Sequence, residues 1–142
     1  MKSLELLLVE DSHGDVMLVK EALKQTAVTV SLNVVYDGDA ALAYLRKEEP
    51  YTQALTPDLL LLDLNLPQQN GREVLAALRC DPTLHDLPVV IFTSSAQEHD
   101  IRDSYALGAN LYLQKPLELA AYLEKICALV DFWATHVLPL PR

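Results

Sequence analysis

Glu10, Asp11, Asp63, Thr93 and Lys115 are the residues of this chain whose types suit a shared chemistry, and each closes a short apolar run. Leu4–Val9 leads into Glu10-Asp11, Leu59–Leu62 into Asp63, Val89–Phe92 into Thr93 and Asn110–Gln114 into Lys115. In open α/β sheets ligands sit outside the carboxyl ends of the strands. If these runs are parallel strands, all five groups reach one edge. Carboxylates gathered there repel one another and need a cation. Hard oxygen donors with open positions suit Mg²⁺, which keeps several waters and bridges to phosphate oxygens. With that charge neutralised, Asp63 can accept a phosphoryl group, and Lys115 and Thr93 can hold the transferred oxygens. Taken singly, each residue has an ordinary explanation. Glu10-Asp11 suits a solvated strand end or helix cap, Asp63 a turn, Thr93 a Ser/Thr capping run, and Lys115 an exposed surface. Their conjunction carries the expectation.

The elements that must position them follow in order. Ser12 or Asp15 can cap a helix carrying Val16, Val19 and Leu23 at helical spacing. Val28–Val35 is rich in Val and Thr and partly alternates, as an outer strand would. Asp37-Gly38-Asp39 turns into a helix over Ala40–Arg46, and Lys47–Pro57 reads as a loop. Leu59–Leu64 is ambiguous alone, because leucine favours helix; its brevity and the turn residues Pro67, Asn70 and Gly71 favour a strand buried on both faces. A helix over Glu73–Arg79 ends at Asp81-Pro82. Ser95 with Glu98 fits a capping box for a helix reaching Leu107, where Gly108 supplies the stop. The last helix is expected from Leu117 to beyond Trp133, with Tyr122, Ile126, Leu129, Val130 and Trp133 as its apolar stripe and a tail carrying Pro139 and Pro141. Strands alternating with helices imply an α/β fold: a doubly wound, five-stranded parallel sheet of flavodoxin-like type, with right-handed crossovers.

Composition narrows the possibilities. At 142 residues and 51% hydrophobic, the chain suits one domain with an ample core. No apolar run approaches the ~18 residues of a membrane span, and MKSLELLLVEDS does not read as a signal peptide, so a cytoplasmic protein without membrane association is expected. A net charge of −9 offers no positive stripe for nucleic acid, and no sequence is left over for a DNA-reading domain. Cys80 and Cys127 lack metal-ligand spacing and read as reduced packing residues.

As a set, LLLVEDS, LLLLDLNLPQQNG, VVIFTSS and YLQKP resemble the receiver domain of two-component response regulators, over Leu4 to Trp133. The resemblance implies that Asp63 is the phosphoacceptor, that Glu10 and Asp11 bind Mg²⁺, and that Asn65 lends the metal its backbone carbonyl. It makes Thr93 the switch hydroxyl, Tyr112 the switch aromatic and Lys115 the family's lysine, with Lys115–Pro116 expected cis. Ser94, where a smaller alanine is frequent, would narrow access to the phosphoryl group. The wider pattern, with Asp15, DLNLPQQNGREVL, SYALGAN and the terminal DFW…VLPLP, is similar to single-domain regulators associated with phytochrome-type sensor histidine kinases. That implies a receiver domain over 1–133 and an extension over 134–142. It implies a histidine kinase as partner, and a homodimer through the face of helix four, strand five and helix five. Phe132, Trp133, Val137 and Leu138 are the dimer candidates. Their alternative is to fold back on the chain's own core.

Two other classes are disfavoured. A phosphatase of the haloacid-dehalogenase type wants a general acid two residues after its nucleophile, and Asn65 stands there. A flavin or nucleotide carrier wants a phosphate-cradling loop after the first strand. Glu10 to Asp15 would instead turn three acids toward any phosphate.

Overall fold

The computed structural model describes residues 3–141. Strands and helices alternate: β1 (Leu4–Val9), α1 (His13–Gln25), β2 (Val30–Val35), α2 (Gly38–Leu45), β3 (Leu59–Leu62), α3 (Gly71–Cys80), β4 (Val89–Thr93), α4 (Glu98–Ala106), β5 (Leu111–Gln114) and α5 (Leu119–His136). The strands form one parallel sheet in the order β2-β1-β3-β4-β5. This is the expected doubly wound α/β fold. No helix among the described residues is long and apolar enough to cross a membrane.

The uninterrupted leucines of β3 are explained by a sheet covered on both faces, since successive side chains point opposite ways. Leu60 and Leu62 join Leu7, Val9, Val89 and Ile91 in a core closed by α2 and α3 through Ala41, Leu42, Leu45, Val74, Leu75 and Leu78. Leu59 and Leu61 join Leu6, Leu8, Val90 and Phe92 on the other face, against Val16, Val19 and Ala22 of α1 and Tyr122, Ile126, Leu129 and Val130 of α5. Every residue of β3 is fully buried. At roughly 1.5–3 kcal/mol per buried leucine side chain, this strand anchors both layers.

Most boundaries lie within two residues of expectation, and the exceptions have local causes. Ser12 rather than Asp15 caps α1, its Oγ accepting from the Asp15 amide at 3.2 Å. The capping box expected at Ser95 and Glu98 is not formed: α4 starts at Glu98 with Gln97 as its N-cap and no side-chain cap. The Ser95 hydroxyl is committed to the Asp100 carboxylate instead. A reciprocal capping box occurs at Asn70 and Glu73, and it begins α3 at Gly71, two residues before the expected start. The α5 helix starts at Leu119 rather than Leu117 and continues to His136, so the tail proper begins at Val137. Cys80 and Cys127 are both free.

Arg79, in the last turn of α3, fastens two loops at once, the one before β4 and the one before β5. Its Nε and Nη2 donate to the Gly108 carbonyl at 3.0 and 2.8 Å, and Nη1 donates to the carbonyls of Leu87 at 2.8 Å and His85 at 3.1 Å. Gly108 sits at φ 104°, and a Cβ there would lie 2.7 Å from Arg79 Nε. Arg79→Met removes the donors and strands partly buried carbonyls. It is expected to cost about 2–3 kcal/mol. Thermal unfolding followed by circular dichroism should show a midpoint lower by roughly 5–10 °C.

Candidate functional site

The strand order reverses direction between β1 and β3, and the groups singled out from the sequence meet just beyond that point. The backbone carries both strands on together: the Glu10 amide donates to the Val35 carbonyl and the Asp63 amide to the Val9 carbonyl, each at 3.1 Å. Glu10 and Asp63 are buried, and Asp11 is exposed. Gly71 presses on the back of this edge. A Cβ there would lie 2.3 Å from the Asp63 carbonyl oxygen, so only glycine lets α3 start so close.

Lys115 reaches the cluster from beyond β5, its amide donating to the Thr93 carbonyl at 2.7 Å. Its buried Nζ donates to Glu10 Oε1 at 2.6 Å and to Asp63 Oδ2 at 2.9 Å, and lies 3.3 Å from Asp15 Oδ2. The remaining oxygens are also engaged. Asp63 Oδ1 accepts from the Asn65 amide at 3.2 Å, and Glu10 Oε2 from the Ser12 amide at 3.1 Å. Burial pushes the Glu10 carboxyl up to about 7, against the opposing hydrogen bond from Lys115. Burial works against the Lys115 charge, but the Glu10 and Asp63 carboxylates outweigh it and raise the lysine's pKa.

Carboxylate oxygens of Glu10, Asp11 and Asp63 all lie within 4.8 Å of one another. Three hard donors of excess negative charge, one of them open to solvent, fit a divalent cation. At the end of β4, Thr93 is fully buried and its Oγ1 has no hydrogen-bond partner, a donor waiting for an acceptor. Ser94 beside it is exposed, and its carbonyl accepts from Gln114 Nε2 at 3.3 Å. The Tyr112 hydroxyl donates to the Ser95 carbonyl at 2.9 Å, tying β5 to the segment after Thr93.

The structure therefore brings Glu10, Asp11, Asp63 and Lys115 together, and sets Thr93 at the neighbouring strand end with Ser94 and Tyr112 on its flank. Asn65 is exposed, and its backbone amide braces Asp63. The expectation of a cis Lys115–Pro116 bond is corrected: the one cis peptide among the described residues is Glu49–Pro50. Trans is the ground state of an X–Pro bond by about 0.5–1 kcal/mol, and nothing in the residues themselves reverses that here. The lysine reaches the site without it.

Asp15 is the residue sequence reasoning left out of the site. Its Oδ1 accepts from the Tyr122 hydroxyl at 2.7 Å, while Oδ2 faces Lys115. Burial opposes its charge, yet Tyr122 and Lys115 hold its carboxyl below the ordinary carboxylate range. A helix capped by Ser12 brings residue 15 back toward the strand ends in its first turn, which is the signal that could have found it. The proposed dimer residues lie elsewhere and divide in two. Trp133 and Val137 are half-buried and line a groove of about 420 Å³ with Leu4, Pro88 and Asn110. Phe132 is 55% exposed and Leu138 90%.

Comparison with known proteins agrees with this geometry. Residues 6–127 match the family model of the response regulator receiver domain. The chain is 42% identical over 132 residues to response regulator Rcp1 of Synechocystis sp., spanning 93% of this chain and 90% of that protein. The phosphorylated cyanobacterial phytochrome response regulator RcpA superposes with a TM-score of 0.94 at 41% identity, over 99% of this chain and 100% of the other. The Mn²⁺-bound form of Rcp1 superposes with a TM-score of 0.91 at 40% identity, over 96% and 99% of the two chains. With five parallel strands, a buried aspartate at the switch point and a lysine closing over it, this chain belongs to the response regulator receiver domain family.

Proposed function

We propose that Asp63 takes a phosphoryl group from the phosphohistidine of a sensor kinase, and that the chain acts as a signalling switch rather than a turnover enzyme. The observation that carries this is the Asp63 carboxylate itself. It is buried, braced by the Asn65 amide, bonded to Lys115 and within 4.8 Å of the oxygens of two further acids. In the transfer, the P–N bond to histidine breaks as a P–O bond to an Asp63 oxygen forms. Glu10, Asp11, Asp63 and the Asn65 backbone carbonyl would hold Mg²⁺, which when bound would supply positive charge to offset that of the carboxylates and the phosphoryl group. Lys115 offers its point charge to the phosphoryl oxygens.

Thr93 couples the chemistry to shape. A phosphoryl oxygen would give the orphaned Thr93 hydroxyl its partner, worth roughly 1–3 kcal/mol against leaving it unsatisfied. Drawing that hydroxyl inward clears room into which Tyr112 can pack, and Tyr112 is already tied to the Ser95 carbonyl. Similarity to the cyanobacterial phytochrome response regulator RcpA supports a phytochrome-type kinase as donor. The reading places the chain in the cytoplasm.

A homodimer follows from the same reading. Tyr105 of α4, Leu111 of the edge strand β5, Phe132 of α5 and Leu138 of the tail are all exposed apolar groups. The receiver domain itself would span residues 1–133, and 134–142 would serve the contact between copies. Half-burial of Trp133 and Val137 makes them supports for that surface rather than its centre.

Incubated with acetyl phosphate and Mg²⁺, the chain should gain the mass of one phosphoryl group, and Asp63→Asn should gain none; equal labelling of that variant overturns the assignment. Divalent-cation binding should strengthen with pH, because a cation must displace the Glu10 proton, held up to about 7. Calorimetric titration should show affinity about tenfold weaker at pH 6 than at pH 8. For the dimer, light scattering on Phe132→Asp and Leu138→Asp should show at least about tenfold weaker self-association than the parent chain.

A further inference from the structure

Lys115 faces more anions than the metal cluster uses, and the surplus one is Asp15. The oxygens that lie mutually within 4.8 Å belong to Glu10, Asp11 and Asp63, whereas Asp15 is not among them and its Oδ2 lies 3.3 Å from Nζ. Its place is built rather than casual. Ser12 caps the helix on its backbone amide, and Tyr122 of α5 donates to its Oδ1 at 2.7 Å. Tyr122 is itself buried, with its ring edge-on to Phe92 at a centroid distance of 5.2 Å and 73° between planes. Phe92 lies just before Thr93, and its ring centre is 5.9 Å from Lys115 Nζ.

A divalent cation changes the balance around the lysine. Without one, Lys115 is held by its two close partners, Glu10 and Asp63. A cation held by those same two residues would compete with the lysine for their negative charge and would also repel its ammonium. A buried ammonium without an anion is costly and would turn outward to solvent, away from the oxygens it must meet. Before a phosphoryl group arrives, an anion outside the metal cluster can keep it in place, and Asp15 Oδ2 is 3.3 Å away.

We propose that Asp15 is a positioning residue that retains the Lys115 ammonium over Asp63 when a divalent cation occupies the carboxylate cluster, with Tyr122 fixing the direction of its carboxylate. The inference rests on the reading of Asp63 as phosphoacceptor. It separates two duties in the acidic cluster: Glu10, Asp11 and Asp63 serve the cation, and Asp15 serves the lysine. It also places a residue of α5, Tyr122, in contact with the site through a single side chain.

The test is a double-mutant cycle on the full chain, using acetyl phosphate at saturating Mg²⁺ and reading the labelling rate. Asp15→Asn keeps size and an acceptor for Tyr122 but removes the charge. The rate should fall roughly fivefold in the parent chain and by less than about 1.5-fold in the Lys115→Ala background, because only coupled residues depart from additivity. Asp15→Glu should restore much of the loss. Tyr122→Phe, which leaves the carboxylate charged but unaimed, should give a smaller fall that also vanishes without Lys115. Thermal unfolding separates a folding defect from these effects, and if Asp15→Asn unfolds, the Tyr122→Phe cycle decides alone. Equal losses in both backgrounds, or no loss at all, would overturn the role of Asp15. Failure of the parent chain to label, or labelling of Asp63→Asn, would instead strike the phosphoacceptor reading itself.

Discussion

One ammonium holding together two buried carboxylates and a third, half-buried one is the interaction on which this structure turns. Lys115 Nζ is within 3.3 Å of Glu10, Asp15 and Asp63, and Asp11 lies on the rim of the same cluster. Four acids against one lysine leave an excess of negative charge, and two of the acids, Glu10 and Asp63, are buried. Removing the lysine would strand that charge, and breaking a buried pair in this way typically costs about 3–5 kcal/mol. The excess also gives the site its chemistry. A region short of positive charge invites a cation, and a cation beside a carboxylate is what lets an anionic phosphoryl group approach. The elevated pKa of Glu10 expresses the same shortage, since a proton is the cheapest cation available when no metal is bound.

So unfavourable a cluster has to be imposed by the packing around it. The leucines of β1 and β3, shared between two cores, leave no freedom for the strands to slip, because a shift by one residue would exchange the faces. That register delivers Glu10 and Asp63 side by side. Gly71 against the Asp63 carbonyl and the Lys115 amide on the Thr93 carbonyl close the frame from either side. Arg79 holds the loops at the opposite end of β4 and β5. The hydrophobic effect thus does the positioning, and the polar groups are confined where it puts them.

That division explains what could be read from the sequence. Apolar runs ending in acids, a threonine and a lysine are one-dimensional signals, so the sheet and the Glu10, Asp11, Asp63 and Lys115 cluster were legible. Competition between partners was not. Ser95 looks like a cap until Asp100, drawn in beside Arg72, claims its hydroxyl. Asp15 looks like part of a helix start until α5 brings Tyr122 to it across 107 residues. The cis bond expected at Lys115–Pro116 came from resemblance alone, and among the described residues only Glu49–Pro50 is cis. The start of α3 moved because the Asn70–Glu73 capping box takes its first free amides.

The segment after Thr93 shows how such competition can serve a switch. Its carbonyls take Tyr112 at Ser95 and Gln114 at Ser94, both from β5, while the Ser95 hydroxyl is held from the opposite side by Asp100. Asp100 in turn pairs with Arg72 of α3. The segment is therefore suspended between α3 and β5, with the unsatisfied Thr93 hydroxyl at its base. A new acceptor on Asp63 would pull at that base, and the pull must be shared between the two tethers. Packed interiors answer such a pull by changing between discrete arrangements rather than by bending smoothly. On the proposed reading, a charge placed on Asp63 would be felt at α4 and β5, where Tyr105 and Leu111 lie exposed. Contacts from Lys115 through Asp15 to Tyr122 would carry the same event to α5 if Asp15 has the positioning role proposed for it. Two such routes, ending on neighbouring elements, would give α4, β5 and α5 a reason to respond as a unit.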